Sequence, residues 1–509
     1  NEQIADLISL PAENIKQVQD FLEAASGSVC EVQTTLGVHR DYIYVDTCAA
    51  QAKLIFPNLD LAVYERKATG EQILRSTMLV DIAHNAYLLG VPHELHQFIE
   101  SIQEVTDLPL NPKTNFNPSQ PWLNSDKELT IKDMIDYFGI DYSDLEESSL
   151  KGTDGQIRAG VIEMGIAFSK TGLAKFQEKY DIPSNPIRKI VGTALFPNEE
   201  ANLDVQTLTG IAQNVQVWDF AFGGSFDFAK IVEKISTTDG APKVYSFSFG
   251  LPETVVGQSQ VNAGNTSLMK FGLLGFTFVA ASGDSGPVLT PGNCSIFDAE
   301  YPSASPYVLS VGGTALNSST GIEGAWIHSS GGFSIYNTRP SFQDAKVEAY
   351  LKSGSLPTNA NGVKYNTANR AYPDVSAFGA FEPVWNNGSF SVVGGTSGAA
   401  PQFAAILSMI NIVRFQNGVG PIGAPHQALY QLESGVGRDV THGMNYATSR
   451  FGCEGQYLPG FPAVTGWDAS TGLGSPKWST LVAGLGGKSQ SVKKVEEVKE
   501  EKEFLSLNQ

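Results

Sequence analysis

Beyond residue 157 the chain alternates between short apolar runs and longer amphipathic ones. Arg158–Glu163, Val215–Trp218, Val244–Ser248, Phe276–Ala281 and Tyr307–Val311 read as strands. Thr171–Tyr180, Leu203–Asn214, Ala229–Ser236 and Ser267–Leu274 read as the helices between them. Strands that are apolar along their length, separated by helices, predict a mostly parallel α/β sheet covered on both faces. Glycine-rich loops follow many of these strands at their carboxyl ends, where open α/β folds bind ligands. A later stretch sharpens the pattern. Ser391–Val393 is β-prone, Gly394 and Gly395 permit a tight turn, and an apolar helix follows from Ser397. Pro401 falls in the first turn, where its missing N–H costs nothing.

The first 110 residues follow a different pattern. Pro11–Ala25 carries Ile15, Val18, Phe21 and Leu22 at helical spacing. Asp41–Val45, Leu61–Tyr64 and Gln72–Ser76 read as strands, Cys48–Leu54 as a helix, and Val91–Val105 as another. This is a small α+β unit. Residues 111–127, with a proline- and asparagine-rich composition that already begins at Leu108, form an extended linker. A helix follows at Thr130–Phe138. At the far end, 488–509 is dense in lysine and glutamate and reads as a solvated tail.

Composition narrows the function. The 509 residues are 42% hydrophobic and carry a net charge of −19. That charge disfavours nucleic acid or an anionic membrane as partner and suits work in acid. No apolar run approaches the length of a membrane span. The four cysteines contain no Cys-x-x-Cys, which argues against zinc and thioredoxin motifs. Sequons at Asn265, Asn293, Asn317 and Asn387, with an even cysteine count, point to the secretory pathway. The opening Asn1-Glu2-Gln3-Ile4 reads as the interior of a longer precursor. Gly487-Lys488-Ser489 mimics the end of a phosphate loop, but position 482 is Val482 and no strand precedes it.

Three stretches carry candidate chemistry. Ser397 at a helix start would have free N–H groups and a positive partial charge beside it, as a nucleophile with an oxyanion site needs. An N-capping serine would look the same. None of the seven histidines is placed to serve as its base: His39, His84, His93 and His96 precede the linker, and His328, His426 and His442 sit in loop or helix contexts. Glu200 and Asp204 are four apart and share one helix face. If that face is buried, the pair can share a proton and one carboxylate can act as base. Asp284 follows the apolar strand Phe276–Ala281, and as a protonated carboxyl could donate to an oxyanion. An Asx turn is the plain alternative.

Taken in order, Glu200-x-x-x-Asp204-Val205-Gln206, Ser282-Gly-Asp284-Ser-Gly286 and Gly395-Thr-Ser397-x-x-x-Pro401 resemble the sedolisins, the serine-carboxyl peptidases. Tyr301–Thr314, Ser330–Ser334 and Arg370–Val375 match as well, and the resemblance covers roughly residues 1 to 487. Gly394 stands where that family usually has serine. The resemblance implies a subtilisin-like fold for 128–487, with Ser397 as nucleophile, Glu200 as base, Asp204 orienting Glu200 and Asp284 as oxyanion donor. It implies one structural calcium ion on Asp439 and Asp468 with the carbonyls of Val440, Val464 and Gly466, an all-oxygen set. Residues 1–110 would be a ferredoxin-like propeptide that inhibits its own enzyme until self-cleavage in 111–127. A departing propeptide requires segregated disulfides, Cys30–Cys48 and Cys294–Cys453. The expected protein is therefore an acid-acting, self-processing zymogen, secreted, extracellular or vacuolar/lysosomal. It would be a monomer acting on peptides, either as a tripeptidyl-peptidase or as an endopeptidase. A silent relative serving as a binding protein is the second reading, weakened because all four catalytic positions are present. A nucleotide-binding α/β protein is the third.

Overall fold

The computed structural model describes residues 10–24, 29–57, 59, 61–65, 72–76, isolated positions from 91 to 99, 128–145, and 157–487 apart from short stretches, the longest being 448–457. The linker and the charged tail lie outside the described residues, as does Cys453. The Val91–Val105 helix falls almost wholly outside them.

In the N-terminal unit α1 is Ala12–Ala24, β1 Gln33–Leu36, β2 Ile43–Asp46, α2 Ala49–Ile55, β3 Leu61–Glu65 and β4 Gln72–Ser76. β1 pairs with β2 and β3 with β4, both antiparallel. Val18, Leu22, Val32, Ile55 and Phe56 pack into a core separate from that of the larger domain. Cys30 and Cys48 form a disulfide, with their Cα atoms 6.4 Å apart.

The larger domain starts at α3, Ile131–Phe138, capped by Thr130 in a reciprocal capping box with Asp133. Then come β5 (Ala159–Met164), α4 (Lys170–Lys179), β6 (Lys189–Gly192), α5 (Glu199–Ile211), β7 (Val217–Phe222), α6 (Phe228–Ser236), β8 (Val244–Phe247), α7 (Gln258–Leu273), β9 (Thr277–Ala281), β10 (Leu309–Leu316), β11 (Glu323–Ala325), β12 (Val375–Phe378), β13 (Glu382–Asn386), β14 (Ser389–Val393) and α8 (Thr396–Gln416). The sheet runs β11-β10-β9-β8-β5-β7-β6, with β12 also paired to β10. Every pair is parallel except β10 with β11. This is a subtilisin-like α/β architecture. The expected strands and helices form with shifted bounds: β7 runs on to Phe222 rather than Trp218, and β10 to Leu316 rather than Val311. α5 begins at Glu199, as the shared helix face of Glu200 and Asp204 requires, while α7 begins at Gln258 rather than Ser267.

α8 lies against the sheet and α5. Its residues Thr396 to Val413 are all buried. Contrary to the sequence expectation, this helix is long and apolar enough to cross a bilayer by length and composition, yet its apolar window is wholly packed inside the protein. It is a core helix. Its burial brings the start of α8, the start of α5 and the carboxyl end of β9 to one place.

Candidate active site

α5 starts where the Asn198 side chain accepts from the Glu200 N–H at 2.9 Å, a helix cap that fixes the first turn. From there Glu200 and Asp204 lie on one buried face, 2% and 0% exposed. Gly395 is the N-cap of α8, and Ser397, 6% exposed, stands beside the Glu200 carboxyl, whose proton affinity it lowers. Asp204 Oδ1 accepts from the Ser248 hydroxyl at 2.7 Å. Glu200 Oε1 and Asp204 Oδ2 are buried without hydrogen-bond partners.

Asp284 sits on the loop leaving β9. Its Oδ1 accepts from the Thr396 N–H at 2.7 Å and from the Thr396 hydroxyl at 2.9 Å. The Thr396 hydroxyl in turn accepts from the Gly283 N–H at 2.9 Å. Gly283 has φ +105°, a left-handed conformation that glycine adopts at little cost. Asp284 thus takes up one of the amides a helix start leaves without an intrahelical acceptor. Its other oxygen lies 3.1 Å from where a β-carbon on Gly395 would stand, so a side chain at 395 would crowd it.

The structure therefore brings Glu200, Asp204, Asp284 and Ser397 together. It also adds three carboxyls that the sequence did not single out. Glu163 on β5 is 0% exposed with both oxygens unpartnered, Asp219 on β7 is 1% exposed, and Glu382 on β13 is 1% exposed. A carboxyl inside the apolar strand Ala159–Met164 was the available signal for Glu163. Burial, then Asp204, Asp219 and Glu200, hold Glu163 well above the usual carboxylate range. Burial, then Asp204, raise Glu200, while the neighbouring Ser397 pulls the other way. Burial raises Asp204, opposed by Ser248 and reinforced by Glu382 and Asp219. Burial pushes Asp219 up to about 7. No cation is among the leading influences on these groups, so they must share protons.

Chemically, a buried carboxylate against a serine hydroxyl can accept its proton as the oxygen attacks a carbonyl. Asp204 flanks that carboxylate on the same helix face. The α8 N-terminus and Asp284 border the place where a developing oxyanion would lie.

The candidate calcium residues also converge. Asp468 is fully buried and accepts from the N–H groups of Val464, Ser470 and Thr471 at 3.1, 2.9 and 2.9 Å. Asp439 Oδ2 accepts from the Gly466 N–H at 2.9 Å, which closes one segment onto the other. Among the described residues no group of three His, Cys, Asp or Glu side chains gathers to hold a metal. Two carboxylates plus backbone carbonyls are still the hard-oxygen donors that calcium takes.

A family model described as the subtilase family (peptidase S8) matches residues 189–421, a span that contains all four site residues. Physarolisin of Physarum polycephalum is 33% identical over 367 residues, covering 62% of this chain and 62% of that protein. Tripeptidyl-peptidase 1 of Mus musculus is 28% identical over 516 residues, covering 95% of this chain and 85% of that one. Among solved structures, Pseudomonas sedolisin, a serine-carboxyl proteinase complexed with pseudo-iodotyrostatin, superposes with a TM-score of 0.50 at 24% identity, over 65% of this chain and 92% of that chain. The fold and these matches define a subtilisin-fold serine peptidase. The chain is similar to physarolisin over its central part and to tripeptidyl-peptidase 1 along most of its length.

Proposed function

We propose that the protein is an acid-acting peptidase made as a self-processing zymogen, cleaving peptide bonds through an acyl-enzyme on Ser397. The observation that carries this reading is the Ser397–Glu200 contact on a buried carboxyl pair. Ser397 Oγ attacks the peptide carbonyl and its proton passes to Glu200. That proton then goes to the leaving amine, and water reverses the sequence on the ester. Asp284, with the Ser397 N–H at the helix start, is assigned to the oxyanion.

The N-terminal unit is assigned as the propeptide. Four contacts through the β1–β2 hairpin support this. Tyr44 donates to Glu233 Oε2 at 2.7 Å, the Val38 N–H donates to Glu233 Oε1 at 3.4 Å, His39 Nε2 meets the Ser236 hydroxyl at 3.0 Å, and Asp41 pairs with Lys270. Asp439, Asp468 and the carbonyls of Val440, Val464 and Gly466 would hold a structural calcium, which stabilises the folded form alone. The sequons at Asn265, Asn293, Asn317 and Asn387 and the Cys30–Cys48 bridge support a secreted or lysosomal setting.

A fluorogenic peptide assay from about pH 3 to about pH 7 tests the reading, with mass spectrometry of products from a long peptide. Activity in acid that is absent from Ser397→Ala is the expected result. Released tripeptides would mark a tripeptidyl-peptidase, and internal fragments an endopeptidase. No cleavage at any pH after acid treatment would overturn the proposal.

A further inference from the structure

The mechanism above leaves Glu382 unused, although it lies beside the nucleophile. Gly398 directly follows Ser397, and a β-carbon there would overlap the Glu382 carboxyl. The missing side chain at 398 is what lets a carboxyl from β13 enter the first turn of α8. Gln402, one turn further along α8, donates to Glu382 Oε1 at 3.0 Å. Gln402 is itself held at both ends of its amide. It donates to the Phe378 carbonyl at 2.7 Å and accepts from the Phe378 N–H at 3.2 Å. Thr207, on the α5 face three residues after Asp204, stands close enough to the Glu382 carboxyl to lower its proton affinity. The hairpin bearing Glu382 is clamped onto α5 beyond this point. The Trp385 N–H donates to Gln206 Oε1 at 2.8 Å, and Gln206 Nε2 donates to the Trp385 carbonyl at 2.9 Å.

Glu382 therefore bridges the helix of the nucleophile and the helix of the Glu200–Asp204 pair. Burying a carboxyl in such a place costs stability, and a neutral group of the same shape would fit at least as well. We propose that Glu382 is a positioning residue of the peptidase site, a third carboxyl that fills the slot left by Gly398 and sets the pH window of the Glu200–Asp204 pair. This rests on the peptidase reading of the same site.

The groups that act on this array are Glu199, Glu200 and Asp204 from α5, Asp284 from the loop after β9, Glu163 from β5 and Asp219 from β7, all acidic. A charge on Glu382 therefore meets only like charges, and opposes loss of the last shared proton. Removing its capacity to ionise should let the pair deprotonate at lower pH.

The experiment is the pH profile of kcat/KM for Glu382→Gln in the full-length, acid-matured enzyme, with melting curves at each pH. Glutamine keeps the shape and a hydrogen-bonding amide. The midpoints of the profile are expected to fall by about one pH unit, with KM at the optimum little changed. The melting temperature at neutral pH should rise. A second variant, Gly398→Ala with Glu382→Ala, refills part of the slot from α8, and should show the same downward shift. An active wild type whose Glu382→Gln profile superimposes on its own would overturn this inference alone. A wild type with no peptidase activity would remove the peptidase reading and this inference together. Failure of both variants to fold would also overturn it, since the proposal makes the Glu382 charge dispensable for folding.

Discussion

The Ser248 hydroxyl donates to Asp204 Oδ1 at 2.7 Å, and the hydroxyl oxygen also lies 3.4 Å from the Ser397 carbonyl oxygen. Ser248 directly follows β8, at the carboxyl edge of the sheet, and is buried. One small side chain thus joins the carboxyl pair on α5 to the first turn of α8. Its hydrogen bond favours the ionised form of Asp204 against the desolvation that opposes it. Ser248→Ala should lower kcat by roughly tenfold, the worth of one charge-assisted hydrogen bond, with KM little altered. Steady-state kinetics at the optimum decide it, and an unchanged kcat would remove Ser248 from the site.

Ser397→Ala should abolish cleavage and self-processing while leaving the fold intact. Loss of the nucleophile in a subtilisin-type site costs on the order of 10⁶ in kcat. The precursor should run at full length after acid treatment, with a melting temperature close to that of the wild-type precursor. A folded Ser397→Ala precursor that still matures alone would refute the assignment.

Asp284→Asn keeps a hydrogen-bond donor at the oxyanion position, and Asp284→Ala removes it. Alanine also leaves the Thr396 N–H and hydroxyl without their acceptor. The asparagine variant should therefore retain more kcat, with the alanine variant lower by roughly 10² or more. Equal rates would rule out a donor role.

Stability should peak in acid. Glu163, Glu200, Asp204 and Glu382 are all held above their ordinary range by burial, and Asp219 is pushed to about 7. A carboxyl raised by folding binds its proton more tightly in the native state than in the unfolded chain. Its contribution is then present in full below the unfolded value near 4, and is lost as pH rises through the folded one. For Asp219 that window closes at about 7. The melting temperature of the mature domain should drop by roughly 5 to 10 °C between pH 4.5 and pH 7.5. Calorimetry with a fixed calcium concentration measures this, and a rise over that interval would contradict the buried-carboxyl account.

The sheet and the shared helix face of Glu200 and Asp204 were legible because they rest on local patterns, whereas Asp284 and Ser397 stood out from an Asx turn and a helix cap only through the resemblance. β5, β8 and β9 are apolar blocks, and Glu200 and Asp204 have helical spacing. The first half of α7 was not legible. Its Gln258-Ser-Gln-Val-Asn sequence has weak periodicity, and burial of Val261, Gly264 and Leu268 against the domain makes it helical. Glu382 was illegible for another reason. Phe381-Glu-Pro-Val-Trp385 shows a strand's residues but not what its carboxyl would meet. Only the fold places it against Gly398, on a different element further along the chain. Position 453 lies outside the described residues, so the Cys294–Cys453 pairing stands as an expectation.

The last prediction concerns the grip of the N-terminal unit. Asp41 pairs with Lys270 of α7, whose side chain is 0% exposed, and His39 is buried beside them. Lys270 and Asp41 both act on His39, in opposite directions, while burial disfavours its charged form most. Burial likewise lowers Lys270, with Asp41 opposing. Breaking a buried pair by removing one partner costs about 3 to 5 kcal/mol, because the other charge stays buried alone. Asp41→Asn should therefore loosen docking of the N-terminal unit without touching the active site. The variant precursor should mature at a higher pH than wild type, while the mature enzymes have identical kcat and KM. Gel-resolved processing across a pH series gives the midpoint. An unchanged midpoint would show that this ion pair does not hold the precursor closed, and a changed kcat in the mature form would show that the substitution acts elsewhere.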